Sequence, residues 1–217
     1  MSMNTKKLSI LAMMSAMAFI LAAFVRVPIV LWLRYDPKDV IIVIAGFIYG
    51  PMAAFIVTVV VSFVQMFTVS ATGYFGLFMN IIASTAFCCT AALIYKKKRT
   101  LQGALLGLIV GTIFATAAMM MWNYIVTPLF MERPRYQVVP LLIPAFLPFN
   151  LISNTLNAAL TMLLYKHVKS ILQATRMMPI PEEEGVKGFN KGIIVASLFV
   201  ILSCTLWVLI LRGVISF

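Results

Sequence analysis

Residues 40–67 read VIIVIAGFIYGPMAAFIVTVVVSFVQMF, an apolar run of 28 residues with Gly50-Pro51 near its middle. A lipid bilayer needs ~20 residues per spanning helix, so this run is too long for one straight span. Proline cannot donate the helical hydrogen bond, and it disfavours helix in the residue before it. The run is therefore either one kinked span or two elements that turn near the membrane surface.

Five further apolar segments flank this run. They cover Leu8 to Val25, Leu77 to Tyr95, Leu101 to Leu129, Leu141 to Tyr165 and Gly192 to Leu211. Each is long enough for a membrane-spanning helix. Over the 217 residues, 63% are hydrophobic and 11% are charged, whereas a soluble domain carries about 25% charged residues. The pattern predicts an all-α, polytopic membrane helical bundle in the lipid bilayer.

The charges are strongly unbalanced, with 17 Lys+Arg against 6 Asp+Glu and a net charge of +11. The basic residues form short clusters between apolar runs, which is typical of a topology signal and argues against nucleic-acid binding. The excess places residues 96–99 and the polar linker at 166–191 in the cytoplasm. Counting Lys+Arg gives 11 inside and 6 outside if Gly50-Pro51 is a turn, and 12 against 5 if it is not. The charges therefore do not decide between the two arrangements.

Side-chain amides on four predicted helices collect in the outer half of the membrane. Polar groups facing lipid are costly, so these amides should face the bundle interior or a cavity. Their common depth favours a cavity open to the outside, and interhelical packing is the alternative. The set comprises Gln65, Asn80, Asn123 and Asn150, with Asn154 and Asn157 following Asn150 at i+4 and i+7 as one polar stripe.

Aromatic residues accompany the amides, with Trp122 and Tyr124 on either side of Asn123. Flat rings beside hydrogen-bonding amides suit a flat heterocyclic ligand, although some of the rings must belong to the interfacial aromatic belt. No Asp or Glu falls within a predicted span after Asp39, so a metal or a coupled ion would lack ligands there. The chain also has no P-loop, GxSxG or HExxH motif. We expect no enzymatic activity, cofactor or metal.

Five short motifs occur in a characteristic order. They are LRYDPKD at 33–39, GFIYGP at 46–51, GYFGLFMN at 73–80, WNY at 122–124 and PFNLI at 148–152. Together they resemble the substrate-binding (S) components of energy-coupling factor (ECF) vitamin transporters, and the last two are similar to those of the riboflavin-specific members.

The resemblance covers roughly residues 8–168. It implies a six-helix core in residues 1–168, with Gly50-Pro51 separating two membrane elements. A cytoplasmic linker at 169–191 and an additional membrane helix at 192–217 would follow. The protein would lie in a bacterial cell membrane, with the ligand site facing the outside.

The resemblance also implies partners. Riboflavin would be captured outside and delivered inward with energy from two ATPase subunits, through a transmembrane coupling (T) subunit. In the family, small residues on the first helix contact the coupling subunit, and Ala12 and Ala16 match that spacing. Ala18 and Ala22 show the same spacing, so the spacing alone does not identify the contact face.

The predicted ligand contacts combine the amides with the first loop. Amides at Asn123 and Asn150 are implied to meet the polar ring of the flavin, and the loop is implied to cover the pocket. One departure is Ser153-Asn154, where many relatives have Lys-Gly. Alternatives are an S component for another vitamin, such as folate or thiamine, or a non-transport membrane protein whose amides only pack helices. The predicted substrate-binding set is Asn80, Asn123, Tyr124, Asn150, Asn154, Tyr35, Asp36, Lys38 and Trp122.

Overall fold

The computed structural model describes residues 5–30, 33–70, 72–174 and 191–211, apart from the side chains of Val30, residues 165–174, Lys191, Ile193 and Leu211. The fold is a helical bundle with one small β-hairpin. In chain order the elements are α1 (Thr5–Phe24), β1 (Val27–Val30), β2 (Leu33–Tyr35), α2 (Lys38–Tyr49), α3 (Pro51–Thr68), α4 (Gly73–Lys97), α5 (Leu101–Phe130), α6 (Arg135–Leu141, Leu142–Phe146 and Leu147–Ala174 in succession) and α7 (Lys191–Leu211).

Five helices in the described parts of the chain are long and apolar enough to cross a membrane: α1, α3, α4, α5 and α6 as far as Leu164. The sixth member of the core, α2, has only 12 residues. The last helix, α7, is apolar over Ile194–Ile210. The predicted six-helix core with one additional C-terminal helix is confirmed. Helix α6 continues to Ala174, and residues 175–190 of the predicted linker lie outside the described residues.

The long apolar run divides at Gly50, as the resemblance implied. Gly50 has a φ of 93°, a left-handed conformation that glycine adopts without steric cost, and Pro51 is the first residue of α3. The two helices on either side pack against each other. Gly50-Pro51 is therefore a turn between two membrane elements and not a kink within one.

Helix α2 lies at the centre of the bundle. Every residue from Lys38 to Phe47 is buried, and the helix contacts α1, α3, α4 and α6. A helix that is apolar nearly all round has no face suited to water and is stable only when surrounded. Its position brings Lys38 and Asp39, the polar residues of its first turn, into the protein interior.

Helices α4 and α5 approach closely along a row of glycines. A Cβ atom on Gly107 would lie 2.7 Å from the carbonyl oxygen of Ala91, and one on Gly111 would lie 2.8 Å from that of Phe87. The approach involves a π-helical turn in α4 at Thr85–Cys89. Small residues at i and i+4 allow backbones to meet in this way in membranes.

The first loop forms an antiparallel hairpin, with Val27 paired to Tyr35 and Pro28 paired to Arg34. Its register is irregular between Pro28 and Val30. The hairpin joins α1 to α2 and so ends directly at the buried first turn of α2. This position makes the hairpin part of the candidate site.

Candidate functional site

The amide stripe predicted on α6 faces the protein interior. Asn150, Asn154 and Asn157 are all buried, as their spacing of i, i+4 and i+7 requires for one face of a helix. Asn150 Nδ2 donates a hydrogen bond of 2.7 Å to the carbonyl oxygen of Phe146, the last residue of the π-helical turn in α6. The side chain of Asn150 is thereby held in one orientation on the buried face.

A second buried amide, Asn123, lies on α5, which packs along α6. Its Oδ1 accepts a hydrogen bond of 2.9 Å from Thr127 Oγ1 one turn further on. That bond uses only the amide oxygen, and the two N–H donors of Asn123 are not required for it. Thr127 was not predicted as a site residue, although its i+4 spacing from Asn123 would have identified it.

The hairpin is bonded to the inner end of the stripe. The hydroxyl of Tyr35 donates a hydrogen bond of 2.9 Å to Oδ1 of Asn157, and the two residues are 8% and 2% exposed. Burial raises the pKa of the Tyr35 phenol above its ordinary value, so the hydroxyl keeps its proton and acts as the donor. Asn157 belonged to the predicted stripe but not to the predicted ligand contacts.

Lys38 connects the same end of the hairpin to α4. Its Nζ lies 3.0 Å and 3.3 Å from the two carboxylate oxygens of Asp36 and 3.2 Å from Oδ1 of Asn80. The next residue, Asp39, accepts a hydrogen bond from Ser84 Oγ, also on α4. Residues 35–39 therefore bridge α4 and α6 across the interior.

The aromatic residues on either side of Asn123 are less buried than Asn123 itself. Trp122 is half-buried. Tyr124 is 45% exposed, and its ring lies under the guanidinium of Arg135, 5.6 Å from the ring centroid. Neighbouring residues on a helix point about 100° apart, so Tyr124 lies outside the face that carries Asn123. The structure thus connects Asn157 and Asn80 to residues 35–38 and leaves Tyr124 on the outer surface of α5.

Helix α3 contributes a further polar stripe. Thr58, Ser62 and Gln65 are all buried at i, i+4 and i+7. Within the described part of the chain, Thr58 Oγ1, Ser62 Oγ and Gln65 Oε1 have no hydrogen-bond partner. Gln65 had been predicted to share the depth of the other amides, and Thr58 and Ser62 had not been predicted.

The two alanine pairs on α1 differ completely in exposure. Ala18 and Ala22 are fully buried in the bundle, whereas Ala12 and Ala16 are exposed on the outer surface of the helix. Met13 and Met17 are exposed beside them. The pair that the resemblance assigned to a partner subunit is therefore the one that is open to a partner.

Comparison with known proteins identifies the family. The family described as "ECF transporter, substrate-specific component" matches residues 6–165. The chain is 31% identical to "Riboflavin transporter RibU" of Staphylococcus aureus (strain TCH60) over 184 residues, covering 78% of this chain and 94% of that protein. It is 29% identical to "Riboflavin transporter FmnP" of Bacillus subtilis (strain 168), covering 80% of this chain and 97% of that protein.

A solved structure shows the same fold. It is described as "Structure and mechanism of the S component of a bacterial ECF transporter" and superposes with a TM-score of 0.68 at 30% identity. The match covers 79% of this chain and 99% of the solved one. The family match, the relatives and the fold agree, and the chain belongs to the substrate-specific components of ECF transporters, a family of multi-pass membrane transport proteins.

Proposed function

We propose that this chain is the riboflavin-binding subunit of an ECF-type transporter. The observation that carries the proposal is the set of buried amides at Asn123 on α5 and at Asn150 and Asn154 on the neighbouring α6. The stripe on α6 continues to Asn157, which accepts the hydrogen bond from Tyr35 of the hairpin. Amides can both donate to and accept from the pyrimidine-like edge of a flavin. The relatives described above as riboflavin transporters support the choice of ligand.

The site opens toward the outside of the cell. Asn80 lies in the first third of α4, which ends at the basic run 96–99, 17 residues and about 25 Å further along the axis. Lys and Arg concentrate in cytoplasmic loops, so the amide end of the bundle lies on the opposite side of the membrane. This orientation supports capture of an external vitamin. The division into residues 1–168, 169–191 and 192–217 is part of the same proposal.

The sequence contains no P-loop motif for binding a nucleotide. We assign the supply of energy to partner subunits, namely a transmembrane coupling subunit and two ATPases. The exposed Ala12 and Ala16 support a close helix contact with the coupling subunit, because small residues let two helices approach within a membrane.

Flavin fluorescence tests ligand binding directly. The purified protein should quench riboflavin fluorescence on binding, and the protein should be yellow if flavin co-purifies. Absence of quenching at micromolar riboflavin would rule out this ligand. A thermal-shift panel of riboflavin, its phosphate ester, folate and thiamine then separates a riboflavin subunit from one for another vitamin.

A pair of variants tests whether the amides contact the ligand. Asn123→Leu and Asn150→Leu should each weaken riboflavin binding about 5- to 150-fold, because each lost hydrogen bond to a buried polar edge costs about 1–3 kcal/mol. Gln137→Leu, at an exposed amide on the first turn of α6, is the control and should bind normally. If both Asn variants lower thermal stability while affinity is unchanged, the amides only pack helices.

A further inference from the structure

The hairpin rests on an apolar cluster that is distinct from the main core of the bundle. Ile29 of β1 and Tyr35 of β2 are buried together with Ile152 of α6 and with Cys204 and Val208 of α7. Strand β1 also lies against α7. The buried side of the hairpin therefore has two supports, one from α6 and one from the seventh helix.

The seventh helix has one packing face. Its buried residues, Ser197, Cys204 and Val208, recur at i, i+7 and i+11, whereas Leu202 and Leu206 on other faces are exposed. This spacing defines a single stripe on a helix. The stripe packs along α6 and reaches the hairpin near its C-terminal end. The family match ends at residue 165, so this support lies beyond the family's shared region.

The hairpin needs such support because it is small. Its strands have four and three residues, and their register is interrupted between Pro28 and Val30. A two-stranded hairpin of this size is marginal unless it packs against another element. The hydrogen bond from Tyr35 to Asn157 fixes the end of β2, whereas Ile29 on β1 depends on the apolar cluster.

We propose that α7 positions the hairpin against α6, where Tyr35 bonds Asn157 of the amide stripe, and thereby slows both the opening of the hairpin and the release of the ligand. Cys204 and Val208 are the positioning residues. The anchoring of the hairpin is independent of which ligand binds, whereas the effect on release rests on the proposed riboflavin function.

Hydrogen exchange tests the anchoring without any ligand. The full-length variant Cys204→Ala/Val208→Ala removes the α7 side chains from the cluster, and Leu202→Ala/Leu206→Ala removes more apolar volume from exposed positions on the same helix. Backbone amides of residues 25–30 and 33–36 should exchange roughly five- to tenfold faster in the first variant and at the wild-type rate in the second. Equal exchange in both variants would overturn the proposal.

The effect on ligand release is tested with the same two variants. Riboflavin release, followed by recovery of flavin fluorescence, should be several-fold faster in Cys204→Ala/Val208→Ala than in the control. Faster exchange with unchanged release would overturn the link between the hairpin and the ligand. If the wild-type protein binds no riboflavin, the proposed function fails, and the exchange measurement still decides whether α7 anchors the hairpin.

A double-mutant cycle distinguishes a direct contact between α7 and the hairpin from a general loss of stability. Ile29→Ala removes the hairpin side of the same contact. Residues that act through a shared contact are not additive, so adding Ile29→Ala to Cys204→Ala/Val208→Ala should accelerate exchange much less than the product of the separate effects. Fully multiplicative effects would show that α7 and the hairpin act independently, and would contradict the proposal.

Discussion

Lys38 is a buried ammonium group whose charge is balanced within the site. It bonds Asp36 at the end of the hairpin and Asn80 on α4, and its side chain is 6% exposed. A buried charge is stable only when it is paired and hydrogen-bonded, so this residue holds the hairpin to the bundle as well as contributing to the polarity of the site.

Replacing Lys38 should therefore destabilise the folded protein. Lys38→Met leaves the Asp36 carboxylate without its cation, and we expect a loss of about 3 kcal/mol, the usual cost of breaking a buried pair. The loss would appear as a lower melting temperature in detergent. Arg34→Met, an exposed cation on the same hairpin, should change the melting temperature little. If the melting temperature of Lys38→Met is no lower than that of Arg34→Met, the buried pair adds no stability beyond that of an exposed cation.

At this scale the residue types were predictable from the sequence and their partners were not. Tyr35, Asp36 and Lys38 were predicted to reach the ligand or act as a lid. The structure gives each of them a protein partner, on one another or on α4 and α6. The partners on α4 and α6 are 42 and 122 residues away in the chain, and no local pattern encodes pairings at such separations. Their contact with the ligand stays a prediction.

At the scale of elements, the glycine row between α4 and α5 determines how closely these helices pack. Gly111 faces the carbonyl oxygen of Phe87 within the π-helical turn of α4. That turn also contains Cys88, whose Sγ lies 3.7 Å from the carbonyl oxygen of Asp39. The close approach at Gly111 therefore helps to position the π-helical turn of α4 against the first turn of α2.

Introducing a side chain at Gly111 should push the two helices apart. Gly111→Val places a branched Cβ against a backbone oxygen that cannot move alone, and overpacking of this kind costs about 1–3 kcal/mol. We expect a lower melting temperature than for Ala117→Val, which adds atoms at an exposed position on the same helix. An unchanged melting temperature for Gly111→Val would show that α4 and α5 do not need this close approach.

Hydropathy predicted where the membrane helices lie. The conformational limits of Gly and Pro allowed either a kink or a turn at Gly50-Pro51, and the φ of 93° at Gly50 decided for the turn. The hairpin was predicted only as a covering loop. Its strands are too short for a period-of-two pattern to stand out, and the apolar residues that it buries face α6 and α7.

At the scale of the whole molecule, the exposed face of α1 is where the chain can meet its proposed coupling subunit. Ala16→Trp should abolish riboflavin uptake in cells while leaving riboflavin binding by the purified protein intact, because Ala16 is exposed and lies outside the amide site. Uptake is measured with labelled riboflavin in cells that lack their own transporter. Ala117→Trp, on an exposed face of α5, should transport normally.

Either of two results would contradict this role for α1. Normal uptake by Ala16→Trp would show that close approach at Ala16 is not needed for coupling. Loss of uptake by both Trp variants would indicate a general effect of bulk on the membrane-facing surface, and the contact would have to be sought elsewhere.

By itself the sequence determined the membrane class, the positions of the apolar segments and the periodicity of the amide stripe, whereas the turn at Gly50-Pro51 was favoured only by the family resemblance. The first three properties depend on local composition and on helix geometry, which each segment carries alone. Only the tertiary structure decided that Ala12 and Ala16 are open while Ala18 and Ala22 are buried, and that α7 packs on the hairpin. Both depend on which helices become neighbours, and equal spacing within a helix does not say which face meets another.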